Sequence, residues 1–219
     1  MRPLSLLEAR TLGVLVEKSL TVPDSYPLSL NSLTLGCNQK TARDPVIAAS
    51  EGEVQEAVDA LKGLALAVEV TGSRVTRYEH NLGRVLGVPS QSVALLATLM
   101  LRGPQTPAEL RTATERLHRF ADVSAVEGFL EELAARPEEK GGPLVLKLPR
   151  APGAREQRWA HLLCGPVDLG ALPVAAEGEA ILPASELAAL KARVSSTEAE
   201  IARLRSVVER LCGELDVRL

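Results

Sequence analysis

The sequence predicts a mainly α-helical chain with small β-hairpin wings, organised as two tandem winged-helix domains followed by a C-terminal coiled-coil helix. Three observations predict it. An order of three helices and a hairpin occurs twice, the apolar stripe of the third helix recurs 72 residues later (Val54 and Val126), and the last segment carries a heptad. The expected organisation is a first winged-helix domain over 1–82, a second over 83–165, a linker over 166–183 and a coiled-coil helix over 184–219. A chain of 219 residues suits two small domains.

In the first unit, Leu4, Leu7, Leu12, Leu15 and Val16 recur at roughly helical spacing over Leu4 to Lys18. Ser5 with Glu8 has the form of a capping box, in which each residue bonds the other's backbone N–H. Pro23 and Pro27 fix a turn, and a short second helix follows with Leu28, Leu30, Leu33 and Leu35, ending near Cys37. The stretch Asn38 to Ala49 is irregular. Ser50 with Glu53 opens a third helix whose stripe is Val54, Ala57, Val58, Leu61 and Leu64. Leu66, Val68 and Val70 then alternate as a strand, Thr71-Gly72-Ser73 turns the chain, and Val75 to His80 returns.

The second unit repeats the order. Residues 90–101 form an apolar helix, and Thr106-Pro107-Ala108-Glu109 opens the next one with an N-cap threonine, a proline at the first helical position and a reciprocating glutamate. The third helix, Asp122 to Ala135, carries Val126, Phe129, Leu130 and Leu133. Leu144, Leu146 and Leu148 then alternate as a strand that returns through Trp159. The two return strands end alike, Arg77-Tyr78-Glu79-His80 against Arg158-Trp159-Ala160-His161.

The linker, from Gly165 to Pro183, is rich in proline, glycine and alanine and has little periodicity. Beyond it, Leu187, Val194, Ile201, Val208 and Leu215 occupy the a positions of a heptad, and Leu190, Thr197, Leu204 and Leu211 the d positions. β-Branched residues at the central a positions with mostly leucine at d favour two parallel strands, and Arg193 with Glu198 and Glu200 with Arg205 attract across them. A homodimer through Leu187, Leu190, Val194, Ile201, Leu204, Val208 and Leu211 is the expected assembly. Folding of this helix back onto a winged-helix domain is the alternative.

Composition narrows the function. The chain is 46% hydrophobic and 24% charged with a net charge of -3, a globular balance. No apolar run approaches the ~20 residues that span a bilayer, and no signal peptide opens the chain, so a cytoplasmic protein with no membrane partner is expected. Three scattered cysteines, Cys37, Cys164 and Cys212, make no disulfide framework. No nucleophile with its base, phosphate loop or metal cluster has diagnostic spacing. We therefore expect no enzyme activity, no catalytic residue, no metal and no cofactor. His161-Leu162-Leu163-Cys164 has the separation of a ligand pair, but zinc takes four ligands and no second pair lies nearby.

The residues resemble the YceH-like proteins, a bacterial family of two winged-helix domains. The resemblance lies in Glu8-Ala9-Arg10, Leu12 to Leu15, Glu17-Lys18, the run Pro23 to Asn31, the run Cys37 to Val46, then Arg102 to Arg111 and Arg158 to Leu162. It covers both units and implies the fold and a bacterial cytoplasmic setting. It implies no activity.

A winged helix commonly docks its third helix in the major groove of double-stranded DNA. Here that helix is acidic in both units. Glu51, Glu53, Glu56 and Asp59 outweigh Lys62, and Asp122, Glu127, Glu131 and Glu132 outweigh Arg136. Positive charge lies instead in loops and wings, and the candidate nucleic-acid contacts are Lys40, Arg43, Arg74, Arg77, Arg111, Arg116, Arg119, Arg155 and Arg158. Two functions follow as expectations: a dimeric, DNA-associated regulator that grips the backbone through loops and wings, and a protein-protein adaptor that uses the acidic third helices and the coiled coil without touching DNA. The polar loop Cys37 to Pro45 is the segment best suited to a specific site, with backbone-satisfying turn contacts as its alternative role.

Overall fold

Ser5 starts the first helix as the sequence predicts. Its hydroxyl accepts the Glu8 N–H at 3.1 Å, and the Glu8 carboxylate accepts the Ser5 N–H at 2.9 Å. In this computed structural model, which describes residues 1–71, 75–150 and 155–167, helix α1 runs Leu6–Thr21. Leu4 therefore lies before the helix, buried, with its N–H on the Leu163 carbonyl at 2.8 Å. A 3-10 turn at Pro23–Ser25 leads to the short strand β1, Leu28–Ser29, and to helix α2, Leu30–Cys37. Helix α3, Glu51–Gly63, opens on the Ser50/Glu53 capping box and precedes the hairpin β2, Ala67–Val70, and β3, Arg77–His80.

The second half begins with a one-turn helix α4, Leu82–Leu86, which no periodicity announced, and continues with α5, Ser90–Arg102. Helix α6, Pro107–Ala113, starts at the Thr106/Glu109 capping box, and α7, Val123–Ala134, at an Asp122 cap that accepts the Ala125 N–H at 2.8 Å. The hairpin is β4, Val145–Lys147, with β5, Trp159–His161.

Leu28, read from sequence as helical, is a strand residue instead. It pairs with Tyr78 of β3, so the first sheet has the antiparallel order β1-β3-β2. The second sheet repeats the arrangement in reduced form: β4 pairs with β5, and Gln105, just before α6, makes a two-way backbone bridge to Trp159. In both halves a residue between the first and second helix thus pairs with the returning strand.

The stripes of the two third helices pack as expected, with Val54, Val58 and Leu61 buried in α3 and Val126, Leu130 and Leu133 in α7. The strand alternation is only half right. Leu66, Leu144 and Leu148 are buried, whereas Val68 and Leu146 face outward at 39% and 37% exposure, as does Leu35 of α2 at 65%. Among the described residues these outer faces have no opposing layer.

One core joins the two halves. Helix α1 packs against α2 and α3 on one side and α5 on the other, which is why every residue from Ala9 to Val16 is buried. The approach is close because Gly13 has no side chain: a Cβ there would lie 3.0 Å from Leu101 Cδ2 of α5. The spans 1–82 and 83–165 accordingly share buried leucines within a single unit, Met1–Leu172. Among the described residues, no helix is long and apolar enough to cross a membrane. Residues 168–183 of the linker, the heptad from Leu187 to Leu215 with its dimer candidates, and Arg74 lie outside the described residues.

Candidate functional site

The loop that follows α2 turns inward. Arg43 is buried, and all five of its N–H donors are used. Nε donates to the Gly36 carbonyl at 3.1 Å, Nη1 to Glu17 Oε1 at 3.1 Å and the Ala42 carbonyl at 2.9 Å, and Nη2 to Glu17 Oε2 at 2.6 Å and Gln39 Oε1 at 2.7 Å. Burial pushes the Glu17 carboxyl up, but the Arg43 hydrogen bonds and charge reverse this and leave it below the usual carboxylate range. The pair is a two-pronged, charge-assisted clamp between α1 and the loop.

Arg10 completes the clamp from the same helix. It is 3% exposed and donates to the Cys37 carbonyl at 3.2 Å and the Pro45 carbonyl at 2.7 Å, while its Nε is buried without a partner. Asn38 closes the far end: its amide donates to the Ala49 carbonyl and its oxygen accepts the Ala49 N–H, both at 2.8 Å. The Asp44 N–H reaches the Leu101 carbonyl of α5 at 2.8 Å. Cys37 is a buried thiol, its pKa raised by burial, 3.7 Å from the Thr11 hydroxyl. The inner side of the segment is therefore fastened, and Lys40, Thr41, Asp44, Pro45, Val46 and Ala48 are what it shows to solvent.

The third helices present acids. On α3, Glu51, Glu53, Glu56 and Asp59 are exposed, with Glu51 accepting from Asn31 and Asp59 from Gln55. The single lysine of that helix, Lys62, is held by Glu69 at 2.6 Å and Asp59 at 3.4 Å. On α7 the exposed residues include Ser124, Glu127, Glu131 and Glu132.

The nine cationic candidates divide. Arg43 is internal, so its assignment as a nucleic-acid contact is not compatible with its burial and its fully used donors. Arg77 donates to the Pro27 carbonyl at 2.7 Å, and Arg158 to the Pro104 carbonyl at 2.9 Å and, two-pronged, to Glu109 at 2.8 and 2.9 Å. Each of these two arginines ties a return strand to the segment before the second helix. Arg111 is exposed but donates to the Ala121 carbonyl at 3.1 Å. Lys40, Arg116, Arg119 and Arg155 are exposed, and Arg116 and Arg119 share the turn between α6 and α7 with His118, whose ring meets Phe120 edge-on at 4.7 Å.

His80 fastens its hairpin: Nε2 lies 3.2 Å from the Ser19 hydroxyl of α1, and its backbone N–H donates to the Tyr26 hydroxyl at 2.6 Å. Burial pushes the Tyr26 pKa up to about 12, against the His80 hydrogen bond, which lowers it. His161 is half-buried, and the desolvation of its ring brings its pKa down to about 4, so the ring is neutral. Of the spaced pair His161 and Cys164, the Cys164 thiol donates to the Ser5 carbonyl at 3.8 Å.

Sequence reasoning missed Arg10 and Glu17 as clamp residues. Both lie on the apolar-patterned first helix, and the legible signal was a charge, Arg10, inside the core run Ala9 to Val16, with Glu17 directly after it.

The family model described as a protein of unknown function, DUF480, matches residues 4–154. A UPF0502 protein of Leptothrix cholodnii is 63% identical over 221 residues, covering 100% of this chain and 98% of its own. One of Acidovorax sp. strain JS42 is 58% identical over 99% of this chain and 96% of its own, and one of Burkholderia pseudomallei strain 668 is 59% identical over 99% and 91%. The chain belongs to this DUF480 (UPF0502) family of bacterial proteins.

Proposed function

We propose that the chain is a tandem winged-helix adaptor that binds protein through its acidic third helices and does not read DNA with them. Support for the winged-helix assignment is the repeated order of helix, pairing residue, helix, helix and hairpin, with the pairing residue joined to the return strand in both halves. The observation that carries the adaptor reading is the solvent face of α3 and α7, made of Glu51, Glu53, Glu56 and Asp59 in one and Glu127, Glu131 and Glu132 in the other. A phosphate backbone is held by lysines and arginines that displace its counterions, and these faces repel it. Arg43, Arg77 and Arg158, which would have gripped phosphates, already donate within the chain, Arg43 to Glu17, Arg77 to the Pro27 carbonyl and Arg158 to the exposed Glu109. The partner surface is therefore basic. The heptad helix would pair two copies, tested by sedimentation of the full chain against one ending at Pro183.

A photo-crosslinking residue placed at Glu56 or Glu127 in the full chain should give discrete protein adducts in cells that survive nuclease, and Glu→Lys changes along the same faces should remove them. Duplex-DNA anisotropy at about 50 mM salt should show no saturable binding. The second reading, backbone docking through the α6–α7 turn, rests on the exposed Arg116 and Arg119. Salt-dependent duplex binding that Arg116→Glu with Arg119→Glu abolishes would establish it and overturn the adaptor.

A further inference from the structure

The run that leads into α3 is held along one side and bare along the other. Over residues 46–50 the chain neither bends nor turns, and its side chains alternate. Ile47 and Ala49 pack on the core, while Val46, Ala48 and Ser50 face solvent. Asn38 pairs with Ala49 as a neighbouring strand would, donating to its carbonyl and accepting its N–H, and Asn31 donates to Glu51 at 2.9 Å. The run therefore lies along the side of α2 that carries Asn31, Leu35 and Asn38 at helical spacing.

In an extended chain the backbone groups of alternate residues point the same way. Ala49 turns both of its groups to Asn38, so those of Val46 and Ala48 point to the opposite edge, where they bond no other described residue. The surface around this edge is apolar, with Leu35 and Ala48 exposed and Val46 at 56% exposure. At the end of the run the first turns of α3 present Glu51, Glu53 and Glu56. An open strand edge flanked by apolar side chains is the form to which an extended peptide adds as a further strand.

We propose that residues 46–50 take up an extended segment of a partner protein, one with apolar side chains at alternate positions and lysine or arginine at the end that meets α3. Its backbone pairs with Val46 and Ala48, its apolar residues lie beside theirs, and its cations meet the carboxylates of α3. Charge selects this occupant, since those carboxylates repel an acidic segment. The second half shows the contrast. There, 72 positions on, Arg111 holds the Ala121 carbonyl as Asn38 holds that of Ala49, but Phe120 fills the place of Ala48 and is buried, and the exposed Arg116 and Arg119 make the turn basic. The segment is thus taken up by the first half. The proposal rests on the adaptor reading and gives it the form of the partner and the place where it docks.

Selection of a phage-displayed library of short random peptides on the full chain tests it. The enriched sequences should alternate apolar residues and end in lysine or arginine. As labelled free peptides they should lose about tenfold or more in affinity, by anisotropy, to Val46→Asn with Ala48→Asn, to Glu51→Lys with Glu56→Lys, and to N-methylation of their own alternate amides, which removes the strand donors. All four substituted residues are exposed, so both double variants should melt with the parent. Peptides that respond to the Glu51 and Glu56 changes alone would overturn the strand site and leave the adaptor reading standing. An unenriched library beside retained crosslinks from Glu56 would do the same. Enriched sequences that carry acids where α3 is met, or the absence of both enrichment and crosslinks, would overturn the two together.

Discussion

Replacing Arg43 by methionine should unfold this protein far more readily than its place in a polar loop suggests. The substitution keeps much of the stem but deletes a guanidinium whose side chain is 0% exposed, and it strands the Glu17 carboxylate, itself only 15% exposed. Removing one member of a buried ion pair costs about 3–5 kcal/mol, because the remaining charge keeps its desolvation penalty and loses its partner. The residual solvent access of Glu17 sets the expectation at the lower end, about 3 kcal/mol. The carbonyls of Gly36 and Ala42 and the amide oxygen of Gln39 lose a donor as well, which keeps the value from falling further. For a unit of this size each kcal/mol lowers Tm by about 2–4 °C, so a fall of about 6–12 °C is expected by circular dichroism. Urea titration should give the same loss at an unchanged m-value. The double variant Arg43→Met with Glu17→Gln should recover part of the loss, since no ionised carboxylate is then left without its counter-charge. Lys40→Glu, three residues away and exposed, should stay within about 0.5 kcal/mol. An Arg43→Met protein as stable as the parent would refute the clamp and return Arg43 to the surface.

Two further outcomes follow from packing and burial. Gly36→Ala would place a Cβ 2.5 Å from Val14 Cγ1, so α2 must shift from α1, and a loss of about 1–3 kcal/mol is expected in thermal melts; a neutral effect would mean the two helices are not in contact there. His161, with a folded pKa of about 4, lies below its unfolded value of ~6.5. Its stabilising contribution is therefore complete above pH ~6.5 and drains as acid protonates the unfolded chain, by about 2 kcal/mol between pH 7 and pH 5. His161→Gln should remove most of that slope from urea midpoints measured over this range, and an unaltered slope would show that the ring is reachable by water.

What could be read from the chain alone was whatever depends on near neighbours. The capping boxes at Ser5, Ser50 and Thr106 are set by a residue three positions on, so they sit where the pattern places them. The stripes of α3 and α7 need only helical periodicity to find their buried face, and the duplicated hairpins need only alternation and a turn. The acidic character of the exposed third helices was equally plain, because acids on the side of a helix opposite its apolar stripe remain in water.

Tertiary structure alone decided which charges are surface. Arg43 and Lys40 look equivalent in a polar loop, yet one meets a carboxylate 26 residues away on α1 and the other meets water. Likewise Val68, Leu35 and Leu146 belong to good apolar patterns but face outward because no second layer among the described residues covers them, while the stretch Ala9 to Val16 of α1 is buried because α5 arrives from the other half. Burial is a property of what lies across a gap. Sequence periodicity reports the direction in which a side chain points, and only the assembled fold determines whether anything is there to meet it.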